Sequence, residues 1–133
     1  MNIHDKAKFY SEINRVLTEK GIFIYYDIFR KDNEDIDYPV PWANDATVSF
    51  LDTITNMDNI LKDLHFLKYQ TSDQTDKAIL FLNKLFENPK KNSPPKLGLN
   101  LLMGDSTKQK LNNIQKGLKG DKIVLQSGIY MKK

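Results

Sequence analysis

The side chain best suited to take part in chemistry is Asp27, near the end of the apolar run at residues 22–28. If this run is a strand of an open α/β sheet, Asp27 points toward the crevice that forms at the strand carboxyl ends. A carboxylate in that crevice could orient an amine or a hydroxyl group. The alternative is that Asp27 caps the following loop through its own backbone.

Aromatic side chains follow in the next segment, with Trp42 in Pro39-Val40-Pro41-Trp42 and Phe50 in Ser49-Phe50-Leu51. Their rings could shape a pocket for an apolar or cationic molecule. A single tryptophan in a proline-containing loop is at least as often a packing anchor, so both interpretations of Trp42 stay open.

Several kinds of chemistry are not indicated by the composition. The chain has no cysteine and two isolated histidines, so we expect neither a disulfide framework nor a metal site. No targeting segment opens the sequence, and no run of about 18 apolar residues occurs in it. We therefore expect a cytoplasmic protein without a membrane span.

The net charge of +3 hides an asymmetry along the chain. Residues 1–88 contain 10 Lys and Arg against 15 Asp and Glu, whereas residues 89–133 contain 10 against 2. The later lysines lack interleaved aromatics and arginines, so a solvated face is the favoured interpretation and nucleic-acid binding a minor hypothesis.

The first elements predicted from periodicity are one helix and one strand. Asp5 can cap a helix with Phe9, Ile13, Val16 and Leu17 on one face, which Lys20-Gly21 ends. The run 22–28 is apolar almost without alternation, as is typical of a strand covered on both faces. A long loop is expected from Arg30 to Asp45 because of its charges and prolines.

The rest of the chain continues to alternate between predicted helices and strands. We predict a helix capped by Thr55 with Asp58, a strand at 66–71, a helix ended by Asn88-Pro89 and a linker at 90–96. An apolar turn or short helix at 97–103, a helix capped by Asp105 or Ser106, and a strand at 123–131 follow. Three strands make a small sheet with an exposed edge, so a larger parent domain or self-association is expected.

Many short segments of the sequence share a resemblance to one family. They are Met1-Asn2-Ile3-His4-Asp5-Lys6, Phe9-Tyr10, Arg15-Val16-Leu17, Gly21, Tyr26-Asp27-Ile28-Phe29, Pro39-Val40-Pro41-Trp42-Ala43, Ser49-Phe50-Leu51, Leu97-Gly98-Leu99-Asn100-Leu101-Leu102-Met103-Gly104 and the last strand. With these segments nearly the entire chain resembles the class I S-adenosylmethionine (SAM)-dependent methyltransferases of the ubiquinone/menaquinone-biosynthesis or sarcosine/dimethylglycine type.

The resemblance implies an α/β fold that is the C-terminal half of a Rossmann-like methyltransferase. The three strands would be equivalent to family strands 5, 6 and 7, in a mixed sheet of order 5-7-6, within a single domain at 1–133. The donor-binding half is absent, because the six glycines form no glycine-rich turn of the G-x-G-x-x-G kind. The chain is then a truncated gene product, one part of a split enzyme or an excised piece.

The resemblance also implies roles for individual residues. Asn2 and Ile3 would lie beside the SAM donor, while Asp27, Trp42, Phe50, Asn100 and Met103 would bind the small-molecule acceptor. No catalytic residue is expected, since methyl transfer from a sulfonium depends mainly on proximity and alignment. Two alternatives stay open: Asn2 caps the first helix, and Asn100, where relatives often carry histidine, and Met103 belong to the core.

Two functions follow from these expectations. The first is a SAM-dependent methyltransferase-like protein that is inactive alone and needs an N-terminal methyltransferase half as its partner. The second is a non-catalytic interaction module that forms a homodimer through its exposed sheet edge.

Overall fold

Three strands form one sheet with helices on both of its faces. The computed structural model describes residues 1–31, 35–87 and 99–133, and only the backbone at residues 99 and 100. The strands are β1 (Ile22–Arg30), β2 (Phe66–Asp73) and β3 (Ile123–Lys132). The helices are α1 (Lys6–Val16), α2 (Ile54–Asp63), α3 (Thr75–Glu87), α4 (Leu99–Met103) and α5 (Thr107–Lys119).

The last strand of the chain lies in the middle of the sheet. The strand order is β1-β3-β2, and β3 is antiparallel to both neighbours. Strands β1 and β2 therefore run in the same direction on either side of it. This arrangement confirms the 5-7-6 order that the family resemblance implied, but the expectation of a mixed sheet is wrong, because β3 separates the two parallel strands and both pairings are antiparallel.

Helix starts follow local side-chain chemistry. Asp5 caps α1 as predicted, since its Oδ1 accepts from the backbone N–H of Lys8 at 2.9 Å. The predicted cap of α2 at Thr55 is wrong. Thr53 has the extended backbone that a cap requires and accepts from the N–H of Asn56 at 3.1 Å, which places Thr55 inside the first turn.

Most other boundaries differ from the predictions by one to three residues. Strand β1 continues to Arg30, which pairs with Ile123, because β3 is long enough to match it. Helix α1 ends at Val16, before the predicted Lys20-Gly21. Ser106 precedes α5 without capping it through its side chain. The predicted stop at 88–89 and linker at 90–96 lie outside the described residues.

The two faces of the sheet carry separate cores. Helices α1 and α2 cover the first face, where the buried core residues are Tyr10, Tyr25, Phe29, Met57, Leu61, Phe66, Val124 and Tyr130. Helices α3 and α5, with loop residues 36–43, cover part of the second face around Leu82, Leu118 and Ile123. None of the described helices combines the length and apolarity needed to cross a lipid bilayer.

Gly128 in β3 makes the packing of the first core possible. It lies opposite Tyr25 of β1, and a Cβ atom built on Gly128 would be only 2.4 Å from Cε1 of that ring. The ring cannot move aside easily, because it is buried and its hydroxyl donates to Oε1 of Gln126. A glycine is needed at this position for the close approach.

We expect Gly128→Ala to lower the free energy of unfolding by roughly 1–3 kcal/mol, because it overpacks the core against the Tyr25 ring. Urea denaturation followed by circular dichroism measures the change. The matched control repeats the substitution in a Tyr25→Leu background, where the loss should be smaller because the ring is gone. An equal loss in both backgrounds would contradict the proposed clash.

Candidate functional site

The N-terminal segment, the end of β1 and the loop before α2 meet at one place. The N–H of Phe50 donates to the carbonyl oxygen of Met1 at 2.9 Å, and the rings of His4 and Phe50 pack edge to face with centroids 5.0 Å apart. Oδ2 of Asp27 lies 3.7 Å from the amino nitrogen of Met1. We call Met1, His4, Asp27 and Phe50 the N-terminal cluster.

Asp27 is held in place by backbone chemistry. Its Oδ1 accepts from the N–H of Ile28 at 2.8 Å. Since Ile28 still belongs to β1, this is a contact within the strand and not the cap of a following loop. Its Oδ2 faces Met1, and 35% of the side chain is exposed. One carboxylate oxygen is therefore fixed, while the other is directed into the cluster.

Lys6 and Tyr10 border this cluster and were missed from the sequence. Burial lowers the pKa of Lys6, an effect that the negative charges of Asp52 and Asp27 oppose. Burial raises the pKa of Tyr10, and the same two carboxylates add to that shift. The two residues are four apart on α1 and so share one helix face, a spacing that could have indicated them.

Asp52 connects the loop to both β1 and α2. Its side chain accepts from the N–H of Thr53 at 2.8 Å and from Nδ2 of Asn56 at 2.9 Å. Its carbonyl oxygen accepts from the N–H of Arg30 at 2.9 Å. The loop beside the cluster is therefore fixed at the end of β1 and at the start of α2.

Trp42 lies in the connecting loop as a packing residue that also reaches toward the cluster. It packs against the second core, and its Nε1 donates to Oγ of Ser49 at 3.0 Å. Ser49 precedes Phe50, so Trp42 positions the segment that carries the cluster's aromatic ring. These contacts support the packing-anchor interpretation; a role in acceptor binding stays a prediction.

The remaining predicted site residues are less closely joined. Asn2 and Ile3 are exposed beside the cluster, and the alternative that Asn2 caps α1 is wrong because Asp5 does so. The carbonyl oxygen of Met103 accepts from Nζ of Lys110 at 3.1 Å, which ties α4 to α5. Among the described contacts none joins Met103 to the N-terminal cluster, and the Asn100 side chain lies outside the described atoms.

A cradle for a nucleoside donor does not fit the described residues. Such a cradle needs backbone amides that point outward from a strand-to-helix turn. In the described ranges, the turn that leads straight from a strand into a helix is the one from β2 to α3. There the N–H of Gln74 donates to the carbonyl of Leu125 at 2.8 Å. The N–H of Thr75 donates to Oδ1 of Asp73 at 2.8 Å, so both amides already have partners within the protein.

Three of the four lysines of α5 contact the protein's own oxygen atoms. Lys116 lies 3.4 Å from Oδ2 of Asp37, and Nζ of Lys119 donates to Oδ1 of Asn83 at 3.0 Å. The third is Lys110, which donates to the carbonyl oxygen of Met103. A solvated face and nucleic-acid binding both stay hypotheses for this helix.

No family model and no curated protein matches the sequence. Solved structures do match in fold. A Galdieria sulphuraria protein regarded as a sarcosine dimethylglycine methyltransferase superposes over 100% of this chain with a TM-score of 0.74 at 17% identity. The Haemonchus contortus phosphoethanolamine N-methyltransferase 2, in complex with phosphomonomethylethanolamine and S-adenosylhomocysteine, matches over 98% with a TM-score of 0.69 at 14% identity.

The apo-form of a mycolic acid cyclopropane synthase matches over 99% of the chain with a TM-score of 0.66 at 12% identity. The chain spans 49% of the first of these structures, 31% of the second and 54% of the third. It therefore has the α/β fold of a part of these proteins, as the resemblance to a C-terminal methyltransferase half implied.

The charges around Lys6 give a direct test of the cluster. We expect Asp27→Asn to lower the pKa of Lys6 further, because a carboxylate that stabilises the ammonium form is lost while burial remains. The Lys6 side-chain carbon signal in an NMR pH titration measures this change. Glu12→Gln on α1, which removes the partner of Arg15, is the control and should leave the pKa of Lys6 unchanged. A Lys6 pKa that is unchanged by Asp27→Asn would contradict the placement of Asp27 close to Lys6.

Proposed function

We propose that this chain is the acceptor-side part of a SAM-dependent methyltransferase that acts on a small molecule. The observation that carries the proposal is the fold: the whole chain superposes on about half of a sarcosine dimethylglycine methyltransferase-like structure, with the last strand inserted antiparallel between the other two. The family resemblance of the sequence agrees with this likeness.

The 133 residues by themselves do not transfer a methyl group in this proposal. The sequence contains no glycine-rich turn, and the β2–α3 turn uses its own amides internally. A donor-binding part, supplied by another polypeptide or by a longer chain, would complete the site. Asn2 and Ile3 would then border the donor, since they lie beside the cluster and are exposed.

The N-terminal cluster is the proposed acceptor wall. The Oδ2 atom of Asp27 provides a negative charge for an amine or an acceptor for a hydroxyl, and the ring of Phe50 provides an apolar face. Trp42 orders this wall through Ser49. Asn100 and Met103 form a second wall in the proposal, on α4. S-adenosylmethionine would supply a methyl group on a positively charged sulfur, so holding and aligning the acceptor is the main task of these residues.

A non-catalytic interaction module is the second candidate. The observation that favours it is the edge strand β1, where Ile22, Ile24 and Tyr26 are mostly exposed although large and apolar. Exposed apolar rows on an edge strand are typical of surfaces that another chain covers.

Calorimetric titration with S-adenosylmethionine tests the missing cradle, and the oligomeric state of the same sample separates the candidates, since a concentration-dependent dimer without donor binding favours the interaction module. We expect no saturable binding by the 133-residue chain, because the donor cradle is missing. An intact methyltransferase such as the H. contortus enzyme serves as the positive control under the same conditions. Binding near one equivalent to this chain alone would contradict the missing-cradle argument and would identify it as a complete donor site.

A further inference from the structure

Tyr10 of α1 is a buried tyrosine whose hydroxyl group is not used by the fold. The residue is only 6% exposed, and its ring packs on those of Phe9 and Phe23, with centroids 5.1 and 6.1 Å away. Within the described ranges its hydroxyl makes no hydrogen bond. Buried hydroxyl groups are normally paired, because removing one from water without a partner is unfavourable. Packing alone does not explain this tyrosine, since a phenylalanine would pack equally well.

The two other tyrosines of the first core follow the usual rule. The hydroxyl of Tyr25 donates to Oε1 of Gln126, and the hydroxyl of Tyr130 donates to Oδ1 of Asp58. Both residues are buried in the same core as Tyr10. Their hydroxyl groups therefore serve the fold, whereas the hydroxyl of Tyr10 is available to another molecule.

The side chain of Tyr10 leans toward the N-terminal cluster. Side chains of an α-helix are tilted toward the helix N-terminus, and the cluster adjoins the first turn of α1. Asp27 lies on the face of β1 that also carries Phe23, against which Tyr10 packs. Burial raises the pKa of Tyr10, and the negative charges of Asp52 and Asp27 raise it further. The hydroxyl therefore lies near both carboxylates and stays protonated, so it can donate.

One carboxylate oxygen near this hydroxyl is also left for a ligand. Both side-chain oxygens of Asp52 accept hydrogen bonds from the start of α2. Oδ1 of Asp27 accepts from the next backbone N–H of β1. Oδ2 of Asp27 lies 3.7 Å from the amino nitrogen of Met1, which is too long for a hydrogen bond. The cluster thus offers one hydroxyl donor, on Tyr10, and one carboxylate acceptor, on Asp27.

We infer that Oη of Tyr10 and Oδ2 of Asp27 together hold a hydroxyl group of the acceptor molecule. A hydroxyl accepts one hydrogen bond and donates another, so it satisfies Tyr10 and Asp27 at once. An ammonium group only donates and would leave the hydroxyl of Tyr10 unpaired. This inference rests on the proposed function, because it names the chemical class of the molecule at the acceptor wall as a small compound that carries a hydroxyl group.

The surroundings of this hydroxyl come from the chain itself. Tyr10 packs with α1, α2 and the inner face of β1 in the first core, away from the outer edge of that strand. The oxygen of its hydroxyl is nevertheless not completely buried, and the side chain of Asp27 is 35% exposed. A small polar group can therefore reach both atoms from the side of the cluster.

The first test needs no ligand. Tyr10→Phe removes the hydroxyl and keeps the ring, so we expect the urea midpoint of the 133-residue chain to stay the same or to rise, because no internal hydrogen bond is lost. Tyr25→Phe is the matched control in the same core. It should lower the midpoint, since Oε1 of Gln126 loses its donor. An equal decrease in both variants would show that the hydroxyl of Tyr10 serves the fold and would overturn the inference.

The second test compares two probes of similar shape, benzyl alcohol and benzylamine, which is an ammonium ion at neutral pH. Backbone amide signals of the cluster in NMR titrations give the dissociation constants. We expect Tyr10→Phe to raise the constant for benzyl alcohol at least about fivefold, the effect of one neutral hydrogen bond, and to leave that for benzylamine unchanged. Asp27→Asn should weaken the binding of both probes. Tyr25→Phe should change neither constant, because its hydroxyl is already bonded.

Three results of the titrations would overturn the inference. The first is the absence of saturable binding of benzyl alcohol to the unmodified chain. The second is an equal loss of affinity for both probes in Tyr10→Phe. The third is an unchanged Cζ carbon signal of Tyr10 while benzyl alcohol binds, which decides the question even where a variant fails to fold.

The inference and the proposed function can fail separately. Binding of S-adenosylmethionine by the chain alone would contradict the missing donor cradle and would leave the probe results for Tyr10 as they are. Conversely, a hydroxyl of Tyr10 that proves structural would leave the donor titration unaffected.

Discussion

The structure depends on the insertion of the last strand between the first two. Strand β3 pairs with β1 and β2 along nearly its whole length, and its alternate side chains enter both cores, with Tyr130 in one and Ile123 in the other. Lys132 at its end also donates to the carbonyls of Asn14 and Leu17, which close helix α1. One strand thus joins the sheet, both hydrophobic layers and the first helix, through contacts between residues far apart in the chain.

The N-terminal cluster inherits its geometry from this sheet. Asp27 takes its direction from the pairing of β1, and the loop carrying Phe50 is fixed because Asp52 accepts from the backbone of Arg30. The carboxylates then act on α1, where they oppose the lowering of the Lys6 pKa by burial. The electrostatics of the cluster therefore follow from backbone hydrogen bonds made outside it.

The same sheet leaves one edge incomplete. The backbone of β1 is satisfied toward β3 and at its carboxyl end, yet its central residues face outward with apolar side chains. The chain spans about half of these structural neighbours. The exposed edge of β1 bears on both candidate functions. In both proposed functions a further segment would pair with the outward backbone groups of β1.

The sequence by itself determined the order of the elements, because apolar periodicity and caps such as Asp5 are local signals, and family resemblance supplied the order of the strands. It did not show Thr53 as the cap of α2, since two threonines compete there and the backbone conformation decides. It indicated Asp27 and Phe50 separately but missed Lys6, whose burial exists once α1 packs beside two carboxylates. Proximity of this kind arises from long-range strand pairing, which no local pattern encodes, and so the tertiary structure alone decided which of these residues share a site.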